Sequence, residues 1–209
     1  MKYPNLENEL RETYNKYAHE RESSSMQDWK IVERKRFLLS MQQENKTKLL
    51  EIGAGTGRDS LFFQDQDFEV TCIDLSPAMI ELCKKKGLNA FVMDMTRIDL
   101  PENSFDAVYT MNSLLHLPKD KFAAVLNQIN SLLRTDGLFF LGMYGGYDFE
   151  GISENDAYTP KRFFSFFEDE HLQEETAKVF DIINFTRIIT EPGNPLHFQS
   201  LMLRKRAIN

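Results

Sequence analysis

The residues of this 209-residue chain best suited to chemistry lie in the run Glu51-Ile52-Gly53-Ala54-Gly55-Thr56-Gly57. Glycines at alternate positions permit a tight turn and let the backbone approach a ligand with no Cβ in the way. Asp74 stands 19 residues beyond Gly55, where a carboxylate can accept hydrogen bonds from both hydroxyls of a ribose. Two ligand classes use such a layout. A dinucleotide loop reads G-x-G-x-x-G and sets pyrophosphate on a helix N-terminus. Here the glycines run G-x-G-x-G, and Arg58 occupies the place of the last dinucleotide glycine. Glu51, just before the first glycine, is unfavourable near pyrophosphate and suited to a cationic ligand. An NAD-linked oxidoreductase of Rossmann type therefore keeps the layout but fails on the spacing. His116 is the one imidazole near the strand ends that would face such a ligand, and its type suits general-base work near neutral pH.

These residues need a scaffold, and the surrounding pattern supplies one. Lys48–Ile52 is a short apolar strand, Phe68–Ile73 the next, with Ala90–Met93 and Phe105–Thr110 the third and fourth. Between the second and third, Ser76 is placed to cap a helix with Pro77 at its first position, lysines 84–86 fill its last turn, and Gly87 closes it. After the fourth strand, Phe122, Val125, Leu126, Ile129, Leu132 and Leu133 recur at helical spacing, with Gly137 as the expected stop. A fifth strand, Leu138–Tyr144, follows. Alternating strands and helices predict an α/β fold with a parallel sheet covered on both faces. The tail differs. Phe180–Ile189 and His197–Leu203 read as strands joined through Pro192-Gly193-Asn194-Pro195, a turn and not a crossover, so an antiparallel strand should close the sheet. Residues 1–45 are expected to form an N-terminal helical cap of the same domain, with Leu6, Leu10, Tyr14 and Tyr17 along one helix face and a second helix over Trp29–Met41. The domain proper spans 46–209, with an irregular insertion at about 145–167.

Composition narrows the class. A hydrophobic fraction of 42% beside 27% charged residues suits a folded domain and not a disordered chain. No apolar run approaches the ~20 residues of a membrane span. The polar N-terminus lacks the apolar core of a secretory signal, so a cytoplasmic location is expected. Cys72 and Cys83, the only cysteines, lack metal-ligand spacing, and no metal site is expected. A formal net charge of −7 disfavours a nucleic-acid partner, because phosphate contacts require a basic footprint.

The motifs in order resemble class I S-adenosylmethionine-dependent methyltransferases. The resemblance rests on Glu51 to Gly57, on Ile73-Asp74-Leu75-Ser76-Pro77-Ala78-Met79, on Phe105-Asp106-Ala107-Val108, and on Leu133-Arg134-Thr135-Asp136-Gly137-Leu138. It covers Lys48 to Tyr144 and implies a Rossmann-like sheet of seven strands, mostly parallel, with an antiparallel last strand. It also implies roles. Gly53, Ala54 and Gly55 would wrap the methionine portion of S-adenosylmethionine, with Glu51 organising its amino group. Asp74 would hold the ribose, Asp94 the adenine amino group, and Met95 would touch the ring. Leu75 and Met79 would pack on the adenine faces, Asn112 would present backbone to the methionine end, and Tyr17 with Tyr14 would roof the cofactor if the first helix is a lid. A non-catalytic adenosyl-ligand protein would share this half of the chain.

Departures from subfamilies point to the acceptor. The fourth strand ends Thr110-Met111-Asn112-Ser113, without the Asn/Asp-Pro-Pro-aromatic signature of amino-methylating nucleic-acid enzymes. No Pro-Cys pair supports a cytosine nucleophile, and the acids of magnesium-dependent catechol-type enzymes are missing. The remainder resembles bacterial small-molecule methyltransferases acting by direct displacement at an N or O nucleophile. The acceptor pocket is expected to draw on Tyr144, Tyr147, Phe149 and Phe163–Phe167, with Glu150, Glu154 and Asp156 as candidates for recognising a cationic acceptor.

Overall fold

A computed structural model describes residues 5–206. The N-terminal segment forms helices α1 (Leu6–Lys16), α2 (Ala18–Ser23) and α3 (Asp28–Gln43). The alternating core follows as β1 (Lys48–Ile52), α4 (Arg58–Gln64), β2 (Glu69–Asp74), α5 (Pro77–Lys85), β3 (Asn89–Val92), β4 (Phe105–Met111), α6 (Lys119–Leu132) and β5 (Leu133–Gly145). The remainder is β6 (Phe149–Ile152), β7 (Phe163–Phe166), α7 (Asp169–Ala177), β8 (Phe180–Ile188) and β9 (His197–Lys205). Seven strands make one sheet in the order β3-β2-β1-β4-β5-β9-β8, while β6 and β7 pair separately. The five strands of the alternating half run parallel, and β9 lies antiparallel between β5 and β8. This is the Rossmann-like arrangement the motifs implied.

Side-chain alternation along β5 divides the core. Phe139, Leu141 and Met143 face α6, where Phe122, Val125, Leu126 and Ile129 are buried. Leu138 and Phe140 face the opposite layer with Phe37, Met41, Phe63 and Tyr109. In that layer the Tyr109 and Phe140 rings stack at 4.8 Å, and Phe37 and Phe63 close on Tyr109 at 5.6 and 5.2 Å. Thus α3 belongs to the core layer, and only α1 and α2 act as a cap.

The expected start of α5 is present. Ser76 Oγ accepts from the amide of Met79 at 3.2 Å, and Pro77 occupies the first helical position. Two expectations need correction, and one helix was not foreseen. Helix α6 ends at Leu132 and not at Gly137, because Leu133 already pairs with Phe105 of β4. Residues 134–137 form a bulge in β5 opposite Asp106, with Asp136 at φ +58°. The insertion is not irregular throughout, since β6 and β7 pair from Phe149↔Phe166 to Ile152↔Phe163. Helix α7 lacked a readable apolar period: only Leu172 among its buried residues is large and apolar.

Asp106 fastens the sheet at the end remote from the glycine turn. Its Oδ2 accepts from the amides of Thr47 and Lys48 at 3.0 and 2.9 Å, and its Oδ1 pairs with Arg134 Nη1 at 2.8 Å. Those donors outweigh the burial that opposes them and hold its carboxyl down at about 2. A carboxyl lower in the folded than in the unfolded state stabilises above the unfolded value and loses that contribution as pH falls through the folded one. Asp106→Asn should therefore lower Tm by a few degrees at pH 7. The difference from wild type should shrink between about pH 4 and pH 2, as followed by thermal melts.

Candidate functional site

The glycine turn connects β1 to α4 at the carboxyl edge of the parallel strands, the edge where open α/β sheets hold ligands. Gly53 and Gly55 adopt φ of +74° and +55°. A Cβ on Gly53 would come within 2.3 Å of Ser113 Cβ, whereas one on Gly55 would meet nothing within 4 Å. Gly55 therefore faces open space. Asp74, ending β2, holds the turn against the start of α5: Oδ2 accepts from Gly55 N and Oδ1 from Ser76 N, each at 2.8 Å. Burial raises its carboxyl above the ordinary range, and these two backbone donors act against the rise. Each oxygen retains a lone pair for a ligand hydroxyl.

Two adjoining cavities open here. The larger, about 850 Å³, is lined by Gly53, Asp74, Leu75, Asp94, Met95, His116 and Glu150, and by Leu6, Glu7 and Leu10 of α1. The smaller, about 80 Å³, shares Gly53, Asp74, Leu75, Met95 and His116 and adds Gly55, Asn112, Ser113, Tyr14 and Arg21. Asn112 has φ +56°, and its amide donates to the Gly142 carbonyl at 2.7 Å. Its Oδ1 and the Oγ of Ser113 are buried without a hydrogen-bond partner. Asp94 Oδ1 accepts from the Thr96 amide at 2.8 Å.

The fold thus brings Gly53, Gly55, Asp74, Leu75, Asp94, Met95, Asn112, His116 and Glu150 around one space. Six other expected site residues lie outside it. Glu51 is buried behind the turn and accepts from Ser60 Oγ. Burial, and then neighbouring Asp59, push its carboxyl well above the ordinary range. Ala54 packs its methyl on Cys72, Ile80 and Cys83. Met79 is fully buried in α5 and lines neither cavity. Tyr17 stacks on Tyr158 at 4.3 Å. Tyr144 lies on the α3 face of β5 against Trp29 and Phe198, as its even position dictates. Tyr147 is 38% exposed and edges onto Phe166. Glu154 and Asp156 are also committed elsewhere, to Lys161 and Arg162 at 2.7 Å each.

His116 lies in the turn Leu114–His116 after β4 and is not free to act as a base. Its Nδ1 donates to the Phe163 carbonyl at 2.7 Å, which leaves Nε2 to accept from the Tyr14 hydroxyl. Burial drives its pKa to about 3, so the ring is neutral at physiological pH. The Tyr14 hydroxyl accepts in turn from Arg162 at 3.3 Å, and Arg162 is clasped by Asp156. Tyr14, expected to roof the site with Tyr17, lines the smaller cavity without it, and Arg21 escaped the sequence reading because nothing in its short helix signals a ligand. Asn15 closes the cap: its Oδ1 accepts from Ser76 Oγ at 2.7 Å and from the Ala78 amide at 3.1 Å.

The sheet order is that of the class I methyltransferase fold, with the glycine turn, the strand-end acid Asp74 and a second acid, Asp94, around one cavity. Residues 49–137 match the family model described as a methyltransferase domain. The chain is 30% identical to O-methyltransferase 3 of Dictyostelium discoideum over 53% of its own length and 28% of that protein's. It is also 30% identical to a bovine (Bos taurus) tRNA N(3)-cytidine methyltransferase, METTL2, over 48% of this chain and 30% of that one. It thus spans under a third of either relative. In fold it is similar to 1,6-didemethyltoxoflavin-N1-methyltransferase of Burkholderia thailandensis, with a TM-score of 0.70 and 24% identity. That match covers 96% of this chain and 88% of the other, a structure with bound 1,6-didemethyltoxoflavin and S-adenosylhomocysteine. The residues here fit the adenosyl cofactor of the class. The space beyond Gly55 and the partnerless Asn112 Oδ1 and Ser113 Oγ are features that a polar ligand would complete.

Two substitutions test this geometry by calorimetry with S-adenosylhomocysteine. Asp74→Ala should weaken binding at least about tenfold, or ~1.4 kcal/mol. It should also lower the melting temperature of the free protein, because two backbone donors lose their acceptor. Gly55→Val should abolish binding while lowering the free protein's Tm by only about 2–8 °C, as expected of a left-handed non-glycine residue.

Proposed function

We propose that the protein transfers a methyl group from S-adenosylmethionine to a small-molecule acceptor at an N or O nucleophile by direct displacement. The observation supporting this reading is the joining of Gly53, Asp74 and Asp94 around one cavity that α1 roofs and Glu150 borders. S-adenosylmethionine, when bound, supplies a methyl group already activated on a sulfonium. The chain's own residues bind and align it: Asp74 toward the ribose, Asp94 and Met95 toward the adenine, Gly53 and Gly55 toward the methionine portion. Leu6, Leu10 and Leu75 line the cavity and exclude water, which a displacement of this kind requires. Tyr14 presents a hydroxyl fixed by His116 and Arg162, a polar anchor for an acceptor beside Asn112.

The preference for a small acceptor rests on charge and size. Glu7, Asp120 and Glu150 line the larger cavity beside the two cations Arg97 and Lys121, and with Asp74 and Asp94 they leave an acidic lining that favours a cationic or hydrogen-bond-donating molecule over a polyphosphate. A volume of about 850 Å³ suits a cofactor with a small partner.

Incubation with methyl-labelled cofactor and fractionated cell extract tests the proposal. Label should enter a metabolite identified by mass spectrometry, and label confined to the RNA or protein fraction would overturn the small-molecule reading. Because His116 is neutral above about pH 3, His116→Gln should lower turnover through the loosened Tyr14. The shape of the pH profile between pH 5 and 8 should stay unchanged. A limb at pH 6–7 that disappears in the mutant would restore His116 as a base.

A further inference from the structure

The two cysteines of the chain meet beneath the glycine turn. Cys72 lies on β2 and Cys83 on α5, and both thiols are free. Neither is exposed, and both belong to one small buried cluster with Ala54, Ile80, Leu88 and Ala90. The Sγ of Cys83 donates to the Gly55 carbonyl at 3.3 Å. A Cβ on Gly57 would come within 2.8 Å of the same sulfur, so the later half of the turn rests on Cys83. Gly55 is thus held from two sides, its amide by Asp74 and its carbonyl by Cys83. The two thiols also hydrogen-bond each other. That bond is the main cause that brings the Cys72 thiol down, while the contact with Cys72 and then burial push Cys83 up. Cys72 is therefore the nucleophile of the pair, and Cys83 holds its hydrogen until a neighbouring sulfur becomes electrophilic.

We propose that Cys72 and Cys83 close into a reversible disulfide that loosens the glycine turn, making cofactor binding sensitive to peroxide. The effect on cofactor rests on the methyltransferase reading of the cavity, whereas the bridge itself does not. The Cys72 sulfur attacks one oxygen of hydrogen peroxide, the O–O bond breaks, and a sulfenic acid forms with release of water. The Cys83 sulfur then attacks the oxidised sulfur, the S–O bond breaks, and the oxygen leaves as a second water. Two thiols and one peroxide give one disulfide and two waters, with two electrons passing from the sulfurs to the peroxide. Cys83 thereby loses the hydrogen it gave to Gly55, and its sulfur is drawn toward β2. Because both sulfurs are buried, the reaction waits on α5 parting from β2, and a ligand that fixes the turn should slow it.

Treatment of the intact protein with hydrogen peroxide, followed by peptide mapping and calorimetry with S-adenosylhomocysteine, tests the proposal. Oxidised protein should yield peptides linked through Cys72 and Cys83, bind S-adenosylhomocysteine at least about fivefold more weakly, and recover with dithiothreitol. Hydrogen–deuterium exchange of the 53–57 amides should quicken on oxidation. Cys72→Ser, with Cys72→Ala as a second variant, cannot bridge and should keep its affinity and exchange through the same treatment. Absence of the linked peptides would overturn the proposal, as would a bridge that leaves affinity and exchange unchanged. A loss shared by the Cys72 variants, or one that dithiothreitol does not reverse, would overturn it too and point to methionine oxidation, with Met95 lining the cavity. Reduced wild type that fails to bind S-adenosylhomocysteine would instead remove the cofactor reading, and the peptide map with the exchange at the turn would still decide the bridge. Thermal melts of the free variants guard against loss of fold.

Discussion

The carboxylate of Asp74 is the joint on which the site depends. Its two oxygens accept from Gly55 and Ser76, so one side chain sets both the path of the glycine turn and the start of α5. Ser76 in turn caps α5 and donates to Asn15 of α1. Turn, helix and cap therefore meet at one residue, and a partly desolvated carboxylate there is tolerable because backbone amides satisfy it. Glycine at 55 is the other half of the joint, since only a residue indifferent to a left-handed φ lets that amide point inward.

Around this joint the polar chain Asp156–Arg162–Tyr14–His116–Phe163 ties the insertion to the cap across the cavity. Every group in it has a partner, which is how a buried tyrosine, histidine and arginine can share a dry region. Burial raises the Tyr14 hydroxyl and lowers His116, so both stay uncharged, and the fixed charge is the Arg162–Asp156 pair. The network is a rigid wall and not a proton store.

Much of this was legible in the sequence where local chemistry decides the outcome. The cap at Ser76-Pro77, the alternation of strand and helix, and the glycine–acid spacing each follow from one short segment, and each is present. What failed depended on long-range pairing. Leu133 looked helical by period, yet pairing with Phe105 draws it into β5. Tyr144 and Tyr147 follow the strand that leads to the site, but the pleat turns Tyr144 to the far face and the hairpin exposes Tyr147. His116 has the side chain of a base, and only its partners, 102 residues before and 47 after, show that both ring nitrogens are engaged. Arg21 was unreadable for the same reason: nothing in its own helix indicates a cavity.

The cap's contacts span unusual sequence distances. Thr13 bonds the Pro160 carbonyl 147 residues on, and Arg162 reaches Tyr14 across 148. Loops of that size cost more entropy to close than the strand pairings of the sheet, although α1 is the first described helix to be synthesised. Helix α1 buries few large apolar groups of its own, chiefly Leu10, so its docking adds little to the stability of the whole. The roof over the cavity should therefore open at lower free energy than the sheet, its amides exchanging with solvent before those of β1, β4 and β5.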